Sequence, residues 1–118
     1  MDNKALTRFH GMLGFAMRAG KVIIGTELVC SALAKDGAKR PRLVLVSQTA
    51  SDATKKKIFT KCEFYGVTAT EINEDGESLG RLIGKLYAPA VIAIADDRFA
   101  EEISRAIESM AGESDGGL

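Results

Sequence analysis

Tryptophan is absent from this chain of 118 residues, histidine occurs once, and proline and cysteine occur twice each. Cys30 and Cys62 stand alone, without CxxC spacing, so neither zinc nor a disulfide framework is indicated; both read as small core residues. Net charge is missing too, since 16 Lys/Arg balance 16 Asp/Glu. No apolar run approaches the ~20 residues of a membrane span. No signal-peptide pattern precedes the first helical segment, so the expected location is the cytoplasm, with no membrane association. Neither a Walker-type phosphate loop nor a GxGxxG pattern is present. The sequence implies no cofactor and no metal.

What remains is an ordinary globular composition, 46% hydrophobic and 27% charged. It predicts one domain over residues 1–111, followed by a polar, Gly-rich stretch at 112–118 expected to be a flexible tail. The balanced total conceals an uneven distribution. Residues 1–66 hold 12 Lys/Arg against 5 Asp/Glu, whereas residues 67–118 hold 4 against 11. Such asymmetry points to one basic surface and to nucleic acid as its partner. If the halves intermix in space, the field cancels.

Periodicity supplies the elements. Leu6, Phe9, Leu13 and Met17 recur at helical spacing and predict an amphipathic helix over residues 3–19. Val22–Ile24 is a short strand. A second helix runs from Thr26 to Asp36, with Val29, Ala32 and Leu33 inward. Leu43-Val44-Leu45-Val46 is an unbroken apolar strand, as in a sheet covered on both faces. A helix from Ser51 to Gly66 buries Ile58, Cys62 and Tyr65, and Val67–Ile72 alternates as a strand. Another helix starts at Gly76, with Leu79, Leu82, Ile83 and Leu86 inward. Ala90–Ala95 is a second buried strand, and Asp96 or Asp97 caps a last helix facing Phe99, Ile103, Ile107 and Met110 to the core. Strands alternating with helices imply an α/β sandwich with a small central sheet covered on two faces.

The most telling stretch is Arg18-Ala19-Gly20-Lys21-Val22-Ile23-Ile24-Gly25-Thr26. Thr26 is read as an N-cap, and the helix tip leaves backbone N–H groups free at its positive pole, an attraction for phosphate. Gly25 permits close backbone approach, and Arg18 and Lys21 place positive charge nearby in sequence. Two further segments are expected at the same sheet edge: the turn Ser47–Thr54 leading into Lys55-Lys56-Lys57, and Leu79–Ala90. The three lysines fan out by about 100° each, so they do not form one clamp. The bland reading of Gly25-Thr26 is a capped helix after a tight turn.

Catalysis finds little support. Asp96-Asp97 at a strand's end has the placement of a Mg²⁺ ligand pair, but helix capping explains both residues. His10 lacks a nucleophile or acid at triad-like spacing.

The ordered set of segments resembles the kink-turn RNA-binding ribosomal-protein superfamily, of the archaeal L-seven-Ae and L-thirty-e type, and is most similar to its small bacterial YlxQ-like branch. The resemblance covers about Leu13 to Ile103. It rests on Leu13–Lys21, Gly25 opening a helix, Ala50–Ile58 with Thr54-Lys55-Lys56-Lys57, Cys62–Val67, Leu79–Lys85, and Ala93–Asp97 with Phe99-Ala100. It implies a three-layer α-β-α sandwich with a mixed sheet, and a non-catalytic monomer that binds structured RNA, of kink-turn or ribosomal type, with the ribosome as a possible partner. It places Gly25, Thr26, Glu27, Leu28 and Ser31 in the widened groove of a kinked duplex, beside sheared G·A pairs. Tyr87, Ala88, Pro89 and Ala90 would cover an extruded base. With Arg18, Lys21, Lys55 and Lys56 these form the expected RNA-binding set. Strong kink-turn binders in the family carry Asn-Glu after the Gly-x opening and a lysine three residues later. Here those places hold Glu27, Leu28 and Ser31. Leu28 cannot hydrogen-bond and Ser31 brings no charge, which motivates an alternative: a protein-interaction module of the same fold with weakened RNA binding.

Overall fold

A computed structural model describes residues 4–37 and 40–116, with side chains through Ala111. Among the described residues the order is α1 (Lys4–Arg18), β1 (Val22–Ile24), α2 (Thr26–Leu33), β2 (Leu43–Ser47), α3 (Asp52–Tyr65), β3 (Thr68–Ile72), α4 (Gly76–Leu82), β4 (Val91–Ile94) and α5 (Asp97–Gly116). The strands form one mixed sheet in the order β1-β4-β2-β3. β2 and β3 are parallel, joined by the crossover through α3, and β4 runs antiparallel to both β1 and β2.

The two central strands are buried along their whole length, as continuous apolar runs require. Their side chains alternate between two cores. Leu43, Leu45, Ile92 and Ile94 join Phe9, Leu13, Leu79 and Ile103 on the face covered by α1, α4 and α5. Val44, Val46, Val91 and Ala93 join Val29, Leu33, Ile58 and Cys62 on the face covered by α2 and α3. The edge strands β1 and β3 are only partly buried. The result is the expected three-layer α-β-α sandwich with a small mixed sheet.

Several local readings differ from the structure. α2 ends at Leu33, with Ala34 as its C-cap, rather than at Asp36. Arg40 satisfies carbonyls left free past this end: its Nε donates to the oxygens of Leu33 and Lys35, both at 2.9 Å. α4 stops at Leu82 because the chain turns through Gly84 at φ 73°, a left-handed conformation. Leu86, expected to face inward, therefore lies beyond the helix and is fully exposed. α5 runs to Gly116, five residues past the expected domain boundary. The last two residues of the stretch 112–118, read as a tail, lie outside the described residues.

Capping matches more closely. Ser51 accepts from the Thr54 N–H at 3.1 Å, Asp75 from Ser78 at 2.7 Å, and Asp96 from Phe99 at 3.0 Å. Of the aspartates considered for Mg²⁺, Asp96 thus caps α5, and Asp97 pairs with Arg42 at 3.0 Å. The charge halves intermix where α1 packs on α5, through Arg8 and Glu102 at 2.8 Å. The Arg8 guanidinium holds the Glu102 carboxyl below its ordinary range.

Candidate nucleic-acid interface

The strand directions decide which segments meet. β1 and β2 both finish where β4 begins, since Ile24 pairs with Ile92 and Val46 with Val91. β3, parallel to β2, finishes at the same end. The start of α2, the turn after β2 and the loop before β4 therefore converge on one end of the sheet.

The tip of α2 is held there by its backbone. The Gly25 N–H donates to the Val91 carbonyl at 2.9 Å, extending the β1–β4 pairing by one residue. Gly25, not Thr26, is the N-cap, with φ 106° and no side-chain cap. That dihedral is open to glycine and strained for any residue with a Cβ. The first intrahelical bond joins the Val29 N–H to the Gly25 oxygen. The amides of Thr26, Glu27 and Leu28 precede it at the positive pole of α2. Glu27, Leu28 and Ser31 are exposed, and their spacing puts them on one face, opposite buried Val29, Ala32 and Leu33. Thr26 is half-buried.

The loop 85–90 enters β4 at this end of the sheet, seated on glycines of α4. A Cβ on Gly80 would collide with the Tyr87 carbonyl oxygen, and one on Gly76 would come within 3.1 Å of the Pro89 oxygen. Gly76 and Gly80 are four apart and face the same way, so together they form a flat bed for the loop. The Lys85 N–H donates to the Gly80 oxygen at 2.8 Å, and the Ser47 N–H to the Ala90 oxygen at 2.8 Å. Pro89 is buried and Ala90 half-buried, while Leu86, Tyr87 and Ala88 are exposed, with the Ala88 Cβ on the side of Gly76. Leu28, 63% exposed, and Tyr87, 56% exposed, add apolar surface at this end of the sheet.

The turn after β2 ties the floor together. The Thr49 hydroxyl accepts from the Gly76 N–H at 2.9 Å, and the Gln48 N–H donates to the Glu74 oxygen at 2.9 Å. The Glu74 carboxylate meets His10 Nε2 at 2.7 Å, which accounts for the lone histidine.

The cations divide differently from expectation. Lys21 precedes β1 and Arg18 ends α1, so both sit at the opposite end of the sheet from Gly25. Four residues of extended chain, about 13 Å, separate Lys21 from Gly25. Arg18 stacks on Phe15, its guanidinium 4.7 Å from the ring centroid. Lys55 is occupied internally, donating to the Gln48 oxygen at 3.0 Å and lying 3.4 Å from Glu71. It braces the turn rather than reaching outward. Lys56 and Lys57 remain exposed near the start of α3, and Lys85 is exposed on the loop. None of these three forms an ion pair among the described residues.

Sequence reasoning missed the bed formed by Gly76 and Gly80 and the tie made by Thr49. The glycine spacing, ahead of a small apolar loop, was the available signal. It also misplaced Leu86 in the core.

A sequence profile of the ribosomal protein L7Ae/L30e/S12e/Gadd45 family matches residues 7–104. The RNA-binding protein YlxQ of Bacillus subtilis (strain 168) is 40% identical over 92 residues, covering 78% of this chain and 87% of the relative. The large ribosomal subunit protein eL30 of Sulfolobus acidocaldarius is 35% identical over 89 residues, covering 75% of this chain and 83% of the relative. Among solved structures, a protein of unknown function from Bacillus halodurans C superposes with a TM-score of 0.77 at 30% identity. That match covers 91% of this chain and 99% of the other.

Proposed function

The chain belongs to the ribosomal protein L7Ae/L30e/S12e/Gadd45 family, and from that membership we propose that it is a non-catalytic protein that binds structured RNA of kink-turn or ribosomal type. The observation that carries the reading is the Gly25–Val91 hydrogen bond of 2.9 Å. It sets an uncapped helix tip, rich in free amides, at the same sheet end as a loop presenting Tyr87. Phosphates of a sharply bent strand fit the first, and an unstacked base fits the second.

Within this reading, Thr26, Glu27, Leu28 and Ser31 enter the groove and Leu86–Ala90 cover the bend. Lys56, Lys57 and Lys85 supply phosphate contacts in place of Arg18, Lys21 and Lys55. Glu27 accepts from a guanine amino edge, whereas Leu28 contributes apolar contact only. A bidentate base contact is worth about 1–3 kcal/mol, so this face reads sequence less strictly than an Asn-Glu pair.

Titration with a kink-turn duplex at two salt concentrations tests the reading. Binding at low salt that weakens steeply as salt rises is expected; no binding at low salt refutes it. Ser31→Lys adds a cation to the exposed face of α2 and tightens the complex. No gain from it contradicts the orientation assigned to α2.

A second reading is favoured by the exposure of Leu28, Leu86 and Tyr87. Apolar side chains at this end also suit a protein partner. That reading predicts a partner retained after nuclease treatment and no affinity for the duplex.

A further inference from the structure

Arg18 and Lys21, displaced from the α2 tip, belong to a second set of groups at the other end of the sheet. The starts of β1 and β2 flank the end of β4 there. The Ala95 N–H donates to the Lys21 oxygen at 2.8 Å, and the Arg42 N–H to the Ile94 oxygen at 2.8 Å. One strand lies between them, so the Lys21 and Arg42 backbones are about 10 Å apart. Beyond Arg42 opens a cleft of about 220 Å³ whose walls include Arg40, Arg42, Tyr65 and Gly66.

Aromatic rings accompany these cations. The Arg40 guanidinium lies over the Tyr65 ring at 4.8 Å, and the Phe64 ring meets Tyr65 edge-on at 4.9 Å. Phe64 is 80% exposed, so one face of its ring is open to solvent. The cleft arginines are themselves engaged: Arg40 lies 3.8 Å from Asp36 and donates to the Leu33 and Lys35 oxygens, and Arg42 pairs with Asp97 at 3.0 Å, while Asp96 caps α5. Glu63 is exposed and forms no ion pair among the described residues; neither do Arg18 and Lys21.

We propose that this end of the molecule is a second RNA-contacting surface, which takes a single-stranded segment. Arg18 and Lys21, without ion pairs among the described residues, and Arg42, whose pairing with exposed Asp97 a phosphate can replace, track a flexible phosphate backbone, and the open face of Phe64 stacks a base without regard to its identity. The stacked, paired bases of a regular duplex offer no such face. The proposal takes its ligand class from the RNA-binding reading but does not depend on the α2 site. The two surfaces are separated by the length of β2, about 17 Å, so one molecule can hold a folded RNA at one end and a strand leaving it at the other.

The test uses the full chain and a labelled single-stranded oligouridine of about 30 nucleotides, titrated across a series of salt concentrations. Wild type is expected to bind. Phe64→Ala, which removes an exposed ring, is expected to weaken binding about fivefold or more. Lys21→Glu is expected to weaken it and to lower the salt slope by about 0.7, the value for one phosphate contact on a single strand. Lys21→Arg is expected to retain wild-type binding, which a merely structural loss would not restore. A saturating kink-turn duplex is expected to leave bound oligouridine in place. Oligouridine binding without duplex binding supports this surface and counts against the α2 site alone. Failure of wild type to bind oligouridine, indifference to both Phe64→Ala and Lys21→Glu, or displacement by the duplex overturns the proposal.

Discussion

Gly80→Ala adds one methyl group, and the structure says where it goes. The new Cβ would run into the Tyr87 carbonyl oxygen and lie 3.4 Å from Pro89 Cδ. Because the obstacle is backbone, no rotamer change relieves it. In a helix interior the substitution alone gains about 1 kcal/mol. Overpacking against a fixed neighbour costs about 1–3 kcal/mol. The net expectation is a loss of up to about 2 kcal/mol, or a fall in Tm of up to about 8 °C for a domain this size. Relief comes most cheaply by lifting the loop off α4, which carries Tyr87 away from its place at the end of the sheet where α2 starts. RNA affinity should therefore fall by more than the lost stability explains. Gly11→Ala is the control: nothing lies within 4 Å of its Cβ, on the exposed face of α1. It should stabilise by about 0.5–1 kcal/mol. Gly76→Ala, with contacts of 3.1 and 3.2 Å to Pro89 and Ala88, should fall between the two. Thermal denaturation of the three variants, with duplex titration of each, checks the order. A Gly80→Ala protein that melts at or above wild type and binds RNA equally well would refute the packing argument.

Burial pushes the Cys62 thiol up to about 11, so at neutral pH it stays protonated and shielded. Alkylation followed by mass spectrometry should label half-exposed Cys30 first and Cys62 only on unfolding; equal rates would contradict the α2–α3 packing. The Ser78 backbone amide holds the Asp75 carboxyl below its ordinary value of 3.8. A depressed folded value means the unfolded chain binds the proton more tightly. The stability Asp75 contributes is therefore complete above pH 3.8 and lost as pH falls through the lower folded value. Denaturant titrations should show the gap between wild type and Asp75→Asn shrinking in acid; a gap independent of pH would remove the cap from the account.

The fold was legible because its signals are local and strong. Leu43–Val46 and Val91–Ile94 are apolar at every residue, and only a sheet covered on both faces buries both sides of a strand. The convergence of Gly25, Ser47 and Ala90 followed from element order once β4 is antiparallel to its two neighbours. What escaped was direction over short distances. Lys21 and Gly25 are four residues apart, yet β1 turns that separation into the height of the sheet. Leu86 continued the helical period of Leu79 and Leu82, but Gly84 had already turned the chain. Lys55 looked free because its partners, the Gln48 carbonyl and Glu71, lie on other segments. Periodicity reports which side of an element is buried, not where the element stops or what reaches it from elsewhere.

Amide chemical shifts of isotope-labelled protein, followed by NMR during titration with a kink-turn duplex, address the central claim most directly. The account predicts progressive movement at Thr26, Glu27 and Leu28 and across Lys85 to Ala90, excepting Pro89. Shifts confined to other parts of the molecule, or none at low salt, would contradict it.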